Sequence, residues 1–157
     1  YANSSVAVYI NDGRGNFGAA SVYSVDREPR GLHAADLDGN GCMDLITANR
    51  GGDNTVSVLF CNGNGTFANA IHLPTGGLMP ERVTAGDFDC DGDMDIAVNL
   101  ENEVSILEND LGDFRVKTKI PTDTRGLGHI VVGDLDGDSQ IDLMRQGVWF
   151  PSISDDE

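Results

Sequence analysis

Twelve aspartates stand at a spacing that could hold hard cations. Asp36, Asp38, Asn40 and Asp44 form the first copy of a pattern, Asp-x-Asp-x-(Asp/Asn)-x-x-x-Asp. Asp87, Asp89, Asp91, Asp93 and Asp95 carry the second, and Asp134, Asp136, Asp138 and Asp142 the third. Carboxylates at alternate positions, with glycine between most of them, can surround one ion with oxygen. An all-oxygen donor set favours Ca²⁺ over Zn²⁺ or copper, and Mg²⁺ suits it less because it keeps its waters and a strict octahedron. An EF-hand would place an acidic ligand at position twelve. Here those positions are Thr47, Val98 and Arg145. A lone acidic turn would carry little meaning, since Asp and Gly are common turn residues. Three in register are different.

The turns belong to a longer repeat. Their first aspartates (Asp36, Asp87, Asp134) lie 51 and 47 residues apart, and a hairpin-like segment keeps the same period. Val6–Asn11 runs to Phe17, Val56–Phe60 to Phe67, and Val104–Glu108 to Phe114. A period near 50 residues, made of short apolar runs and turn signals, indicates a solenoid, a propeller or an array. Each unit reads as four strands, at about 31–36, 44–49, 55–61 and 66–73 in the first full unit, with the acidic turn joining strands one and two. Asn62-Gly63-Asn64-Gly65 supplies the positive φ angles of a tight turn. No stretch sustains a 3.6-residue apolar period, so essentially no helix is predicted. The fold class is all-β: about three four-stranded antiparallel β-propeller blades, part of a larger or oligomer-completed propeller. Residues 1–157 form one propeller segment, with units at about 5–25, 31–74, 82–120 and 128–150.

The composite Asp-x-Asp-Gly-Asn-Gly-x-x-Asp-Leu-Ile-x-Ala-Asn, Val-Ser-Val-Leu and Asn-Gly-Asn-Gly-Thr-Phe resembles the FG-GAP/VCBS repeat. That repeat builds the propeller of integrin α-subunits, some fungal lectins and many bacterial surface and secreted proteins. The resemblance spans roughly residues 5–150 and is strongest in the two central units. The third turn departs from it, with Ser139 where glycine is usual and a second strand ending in Met144-Arg145-Gln146. The resemblance implies that side chains one, three, five and nine and the carbonyl at position seven hold Ca²⁺. It thereby assigns Asp36, Asp38, Asn40, Asp44 and the Cys42 carbonyl to one ion. Asp87, Asp89, Asp91, Asp95 and the Asp93 carbonyl would hold a second, and Asp134, Asp136, Asp138, Asp142 and the Gln140 carbonyl a third.

Formal net charge is −16, and the three turns hold twelve of the 26 acids. Three Ca²⁺ would bring the charge to −10, so folding and cation binding are expected to be linked. No basic patch is visible, which excludes nucleic acid as an expected partner. No apolar run reaches the length of a membrane span. Calcium modules of this affinity class suit the extracellular space, the cell surface or the periplasm, and a start at Tyr1-Ala2-Asn3 without Met is expected of a processed or trimmed chain. Asn3-Ser4-Ser5 and Asn64-Gly65-Thr66 match the N-glycosylation sequon of a eukaryotic protein, although the plainer reading of Asn64 is a hairpin-turn residue.

Antiparallel pairing of the second and third strands places Cys42 almost opposite Cys61, where a disulfide would fit, and leaves Cys90 free. His33, His72 and His129 have no nucleophile in motif with them, and calcium ligands must stay ionised, so the chain is read as no enzyme. Trp149 follows Gly147-Val148 in an expected strand, where packing suits it better than sugar stacking.

About three blades are fewer than the four to eight of closed propellers. The first expected strands are three and four of a blade, and the last are one and two. Chains joined head to tail would complete each other's blades. The partners expected are therefore other protein chains or the remaining blades of a larger propeller, with glycan as a further class. Two functions fit: a calcium-binding extracellular module for adhesion or protein and glycan recognition, or a structural subunit in which calcium only stabilises.

Overall fold

A computed structural model describes residues 4–122 and 128–146. Trp149 and Asn3 lie outside them. Among the described residues there are twelve strands: β1 (Ser5–Val8), β2 (Ser21–Ser24), β3 (Pro29–Ala35), β4 (Asp44–Asn49), β5 (Thr55–Leu59) and β6 (Ile71–Pro74), then β7 (Arg82–Gly86), β8 (Asp95–Asn99), β9 (Glu103–Asp110), β10 (Asp113–Pro121), β11 (Ile130–Gly133) and β12 (Asp142–Arg145). No helix of the described residues is long and apolar enough to cross a membrane.

The strands form two four-stranded antiparallel sheets, β3-β4-β5-β6 and β7-β8-β9-β10, and two pairs, β1-β2 and β11-β12. These are propeller blades, and they do not close into a ring. Each four-stranded sheet runs as an up-and-down meander, because connections of two to eleven residues join each strand to its antiparallel neighbour. The innermost strand β7 lies beside both β3 and β11, so successive blades stack around a common axis. Stacking covers both faces of the middle strands. Every residue of β5 and of β8 is buried, so the polar Thr55, Ser57, Asp95 and Asn99 lie inside beside Val56, Val58, Ile96 and Val98. The outer strand β10 is exposed along most of its length.

One core spans the two complete blades, with Ile46, Val56 and Val58 from the first facing Ile96, Val98 and Leu107 from the second. Truncating Ile46 or Ile96 to Ala would cost about 2–5 kcal/mol, because neither site can collapse between two packed sheets. Close stacking also dictates a glycine. A Cβ at Gly31 would stand 2.9 Å from the Arg82 Cα on the neighbouring inner strand.

The fourth strand of the first complete blade starts at Ile71 rather than near residue 66. Gly63 and Gly65 both take positive φ, and beyond them only the isolated Cys61–Phe67 bridge pairs before the chain regains the sheet. In the second blade the tighter turn at Leu111-Gly112 lets β9 and β10 pair from Asp110–Asp113 onward.

Candidate metal centres

Each acidic turn joins the first and second strands of a blade: β3 to β4, β7 to β8, and β11 to β12. The fourth and sixth positions of every turn adopt left-handed φ. Gly39 (68°) and Gly41 (83°) serve the first turn, Cys90 (62°) and Gly92 (99°) the second, Gly137 (84°) and Ser139 (71°) the third. That conformation costs an L-residue about 1–2 kcal/mol. The second and third turns therefore each carry one strained residue. Sequence reading singled out Ser139 and passed over Cys90.

The two reversals aim successive carboxylates inward. Side chains one, three and nine of each turn converge: Asp36, Asp38 and Asp44; Asp87, Asp89 and Asp95; Asp134, Asp136 and Asp142. In each group one oxygen per residue lies within 4.8 Å of the others. Oxygens on opposite sides of one Ca²⁺ stand roughly 4.6–5.2 Å apart, twice the usual Ca–O distance. The donor set fits a calcium ion by both chemistry and spacing.

Position five has another task in this structure. Asn40 Oδ1 accepts the Cys42 N–H at 2.7 Å, Asp91 Oδ1 accepts the Asp93 N–H at 2.9 Å, and Asp138 Oδ1 accepts the Gln140 N–H at 2.8 Å. These side chains brace the turn, and Asp91 and Asp138 lie outside the converging groups. The first carboxylate also ties its own loop. Asp36 accepts the Asn40 and Gly41 N–H groups, Asp87 those of Asp91 and Gly92, and Asp134 those of Gly137 and Ser139.

The ninth carboxylate links turn to blade. Asp44 is fully buried; its Oδ2 accepts the Leu37 N–H at 2.8 Å and its Oδ1 the Cys61 N–H at 2.7 Å. Asp95 repeats this with Phe88 (3.0 Å) and Asn109 (2.8 Å). Burial pushes both carboxyls above the ordinary Asp range; the two N–H bonds partly offset it, while the charges of Asp36 and Asp38, or of Asp89 and Asp91, push the same way as burial. A divalent cation would relieve that crowding. In the second turn Lys117 reaches across to Asp89 at 2.9 Å and to Glu108. Those two acids, Glu108 first, raise the Lys117 pKa above the ordinary lysine range. Lys117 thus supplies part of the positive charge that the second turn attracts.

Residues beyond the acidic pattern complete the arrangement. Asn109 Nδ2 donates to the Leu37 carbonyl at 2.8 Å, tying the second blade to the turn of the first. Its place was readable only through the repeat, since Asn11, Cys61 and Asn109 all stand opposite the hairpin phenylalanine. Cys42 and Cys61 form a disulfide with a Cα separation of 5.9 Å, and Cys90 is free and exposed. Asn64 is exposed, with Oδ1 accepting from the Thr66 N–H and hydroxyl.

Ser57, His72 and Asp26 also meet. The buried Ser57 Oγ accepts the Asp26 N–H (3.1 Å) and Asn49 Nδ2–H (2.8 Å), so its own proton is directed at His72 Nδ1 (2.9 Å). Both lone pairs are occupied, and the hydroxyl serves as a junction between the β1-β2 pair and the first blade. His33 sits half-buried in β3, where burial lowers its pKa; the His129 carbonyl accepts the Gln146 N–H.

The profile of the FG-GAP-like repeat matches residues 1–47 and 36–98, which contain the first two acidic turns. No curated protein matches the sequence. Among solved structures, a chain of the Photorhabdus luminescens Tc holotoxin pore superposes with a TM-score of 0.54 at 19% identity, over 91% of the present chain. The present chain spans 7% of that chain's length, and the likeness is one of fold.

Proposed function

The chain belongs to the FG-GAP-like repeat family, and we propose on that premise that it is a non-catalytic, calcium-stabilised propeller module of an extracellular or cell-surface protein, mediating adhesion or the recognition of protein or glycan. The observation that carries the calcium reading is the threefold convergence of carboxylates one, three and nine within ion-sized reach. A cation there would fix the turn between strands one and two and, through the ninth carboxylate, the third strand of the same blade. The full ligand sets proposed add Asn40, Asp91 and Asp138 and the carbonyls of Cys42, Asp93 and Gln140. Calorimetric Ca²⁺ titration of chelated protein tests this reading, and flat heats would overturn it. A glycan array and pull-down with the calcium-loaded protein test recognition.

A second reading is favoured by the edges. Among the described residues β1 and β12 each pair on one side only, and unpaired strand edges invite a further strand. On this reading the chain is an assembly subunit whose calcium purely stabilises, and its partners are other protein chains. Light scattering after size exclusion separates the two: a concentration-independent multimer supports assembly, and a monomer that binds glycan or protein supports recognition.

A further inference from the structure

We propose that the Cys42–Cys61 disulfide is a positioning element of the first metal centre, so that the oxidised bridge and a calcium ion at the β3–β4 turn each strengthen the other. This coupling rests on the calcium reading and gives the bridge a part in it.

The bridge and the turn share residues. Cys42 stands at the seventh position of the first turn, two residues before Asp44, and its carbonyl belongs to the proposed ligand set. Its sulfur is bonded to Cys61. Asp44, one of the three converging carboxylates, accepts the Cys61 N–H at 2.7 Å through Oδ1. Two links, one covalent and one a hydrogen bond, thus run from Cys61 to two members of one ligand set. Neither link is itself a ligand; both fix the backbone from which ligands project.

The second blade makes the same tie without sulfur. Asp93 takes the seventh position, and Asn109 stands opposite its hairpin phenylalanine as Cys61 does. The Asn109 N–H donates to Asp95 Oδ1 at 2.8 Å. The Leu111 N–H, two residues further along the hairpin, donates to Asp93 Oδ2 at 3.1 Å. In both complete blades the seventh side chain therefore fastens the acidic turn to the hairpin that follows the third strand. A tie at this position recurs even where it does not cross-link the chain. In the first blade a redox reaction can break it.

The bridge lies open to a reductant. Asn40, Gly41, Cys42, Cys61, Asn62 and Gly63 line a cleft of about 500 Å³, roomy enough for a small dithiol. A thiolate of the dithiol attacks one bridge sulfur, breaks the Sγ–Sγ bond and expels the other sulfur as a thiolate. The reductant's second thiol then closes its own disulfide and frees the first sulfur. Two electrons pass to the protein, and the two protons lost by the dithiol end on Cys42 and Cys61. Reduction leaves the Asp44–Cys61 hydrogen bond in place and releases Cys42 from the hairpin. A bound ion must then order that residue itself, and ordering one residue's backbone is worth about a tenfold change in an equilibrium constant. Linkage is reciprocal. A tenfold loss of affinity on reduction therefore requires Ca²⁺ to make the bridge's reduction potential about 30 mV more negative.

Cys90→Ser protein, which lacks the exposed free thiol, is equilibrated in dithiol–disulfide buffers with EDTA or with millimolar Ca²⁺, and trapped thiols are counted by intact mass. Calcium is expected to move the midpoint at least about 30 mV to the negative side. Asp38→Asn removes one carboxylate of the first centre yet keeps Oδ1 for the Asn40 N–H, and it should abolish that shift. A shift that persists in Asp38→Asn would assign the linkage to overall stability and overturn the coupling. In calorimetry, Cys42→Ser with Cys61→Ser should bind one Ca²⁺ at least tenfold more weakly than the oxidised wild type; matching isotherms would also overturn it. Flat heats from the oxidised wild type would overturn the calcium reading as well. Normal heats with equal midpoints in EDTA and Ca²⁺ would overturn the coupling alone.

Discussion

The Cys61 backbone N–H donates to Asp44 Oδ1 at 2.7 Å, and through that bond an acidic turn at the blade's inner end holds the end of its third strand. Asp95 and Asn109 repeat the relationship in the next blade. The ninth aspartate is therefore a structural joint as well as a member of each converging carboxylate group. Replacing Asp95 by Ala strands two amides, Phe88 and Asn109, and should cost about 2–6 kcal/mol even in chelator, at about 1–3 kcal/mol per unsatisfied group. Asp142→Ala frees one exposed amide and should cost under about 1 kcal/mol in chelator. Urea unfolding of both variants in EDTA measures the contrast, and equal losses would refute it.

Cys90 (φ 62°) and Ser139 (φ 71°) hold left-handed backbone that their turns elsewhere assign to glycine. Cys90→Gly and Ser139→Gly should each raise stability by about 1 kcal/mol, the relief of αL strain exceeding the entropy glycine loses on folding. Nothing within 4 Å would meet a Cβ at Gly137, so Gly137→Ala isolates the opposite, backbone-only penalty. Thermal melts of the three variants should rank in that order.

The Cys42–Cys61 bridge closes a sequence separation of 19 residues. In the chain-entropy account a loop of that size contributes about 3 kcal/mol. Reduction should lower the urea midpoint accordingly, and alkylation followed by intact mass should count one free thiol before reduction and three after it.

Asp44 and Asp95 have folded pKa values raised above the ordinary Asp range, burial being the first cause. A carboxyl whose pKa is higher folded than unfolded binds its proton more tightly in the native state. Its contribution to stability is thus greatest below the unfolded pKa and is lost as pH rises through the carboxylate range to the folded value. In EDTA these two residues should make the protein lose stability over that rise. Saturating Ca²⁺ should reverse the trend, because protons then compete with the ion. Melting curves from pH 3 to 7, with wild type compared against Asp95→Asn, check the sign; the variant should lose part of the slope in EDTA.

Much of this site is local and was readable as such. Alternate aspartates with intervening glycines specify a turn and its inward carboxylates within nine residues, and the 51- and 47-residue intervals place those turns between the same two strands of each unit. The disulfide followed from register across one antiparallel pair. What escaped reading depends on contacts between blades. Asn109 reaches the Leu37 carbonyl 72 positions away, and Asp26 meets Ser57 and Thr55 across 31 and 29 positions. Such polar junctions leave no periodicity in sequence. Cys90 gave no signal because its residue type does not announce a positive φ. The fourth strand was read too long because residues 66–70 share the apolar character of the strand they precede.

Calcium dependence of folding tests the central claim most directly. Differential scanning calorimetry of chelated protein, repeated with increasing Ca²⁺, follows it. One site at a hundredfold excess over its Kd adds about 2.7 kcal/mol, and a domain of this size shifts by about 2–4 °C per kcal/mol. The melting temperature should therefore climb by at least about 5 °C, with the turn containing Ser139 saturating last. Superimposable melts in EDTA and in millimolar Ca²⁺ would contradict the account.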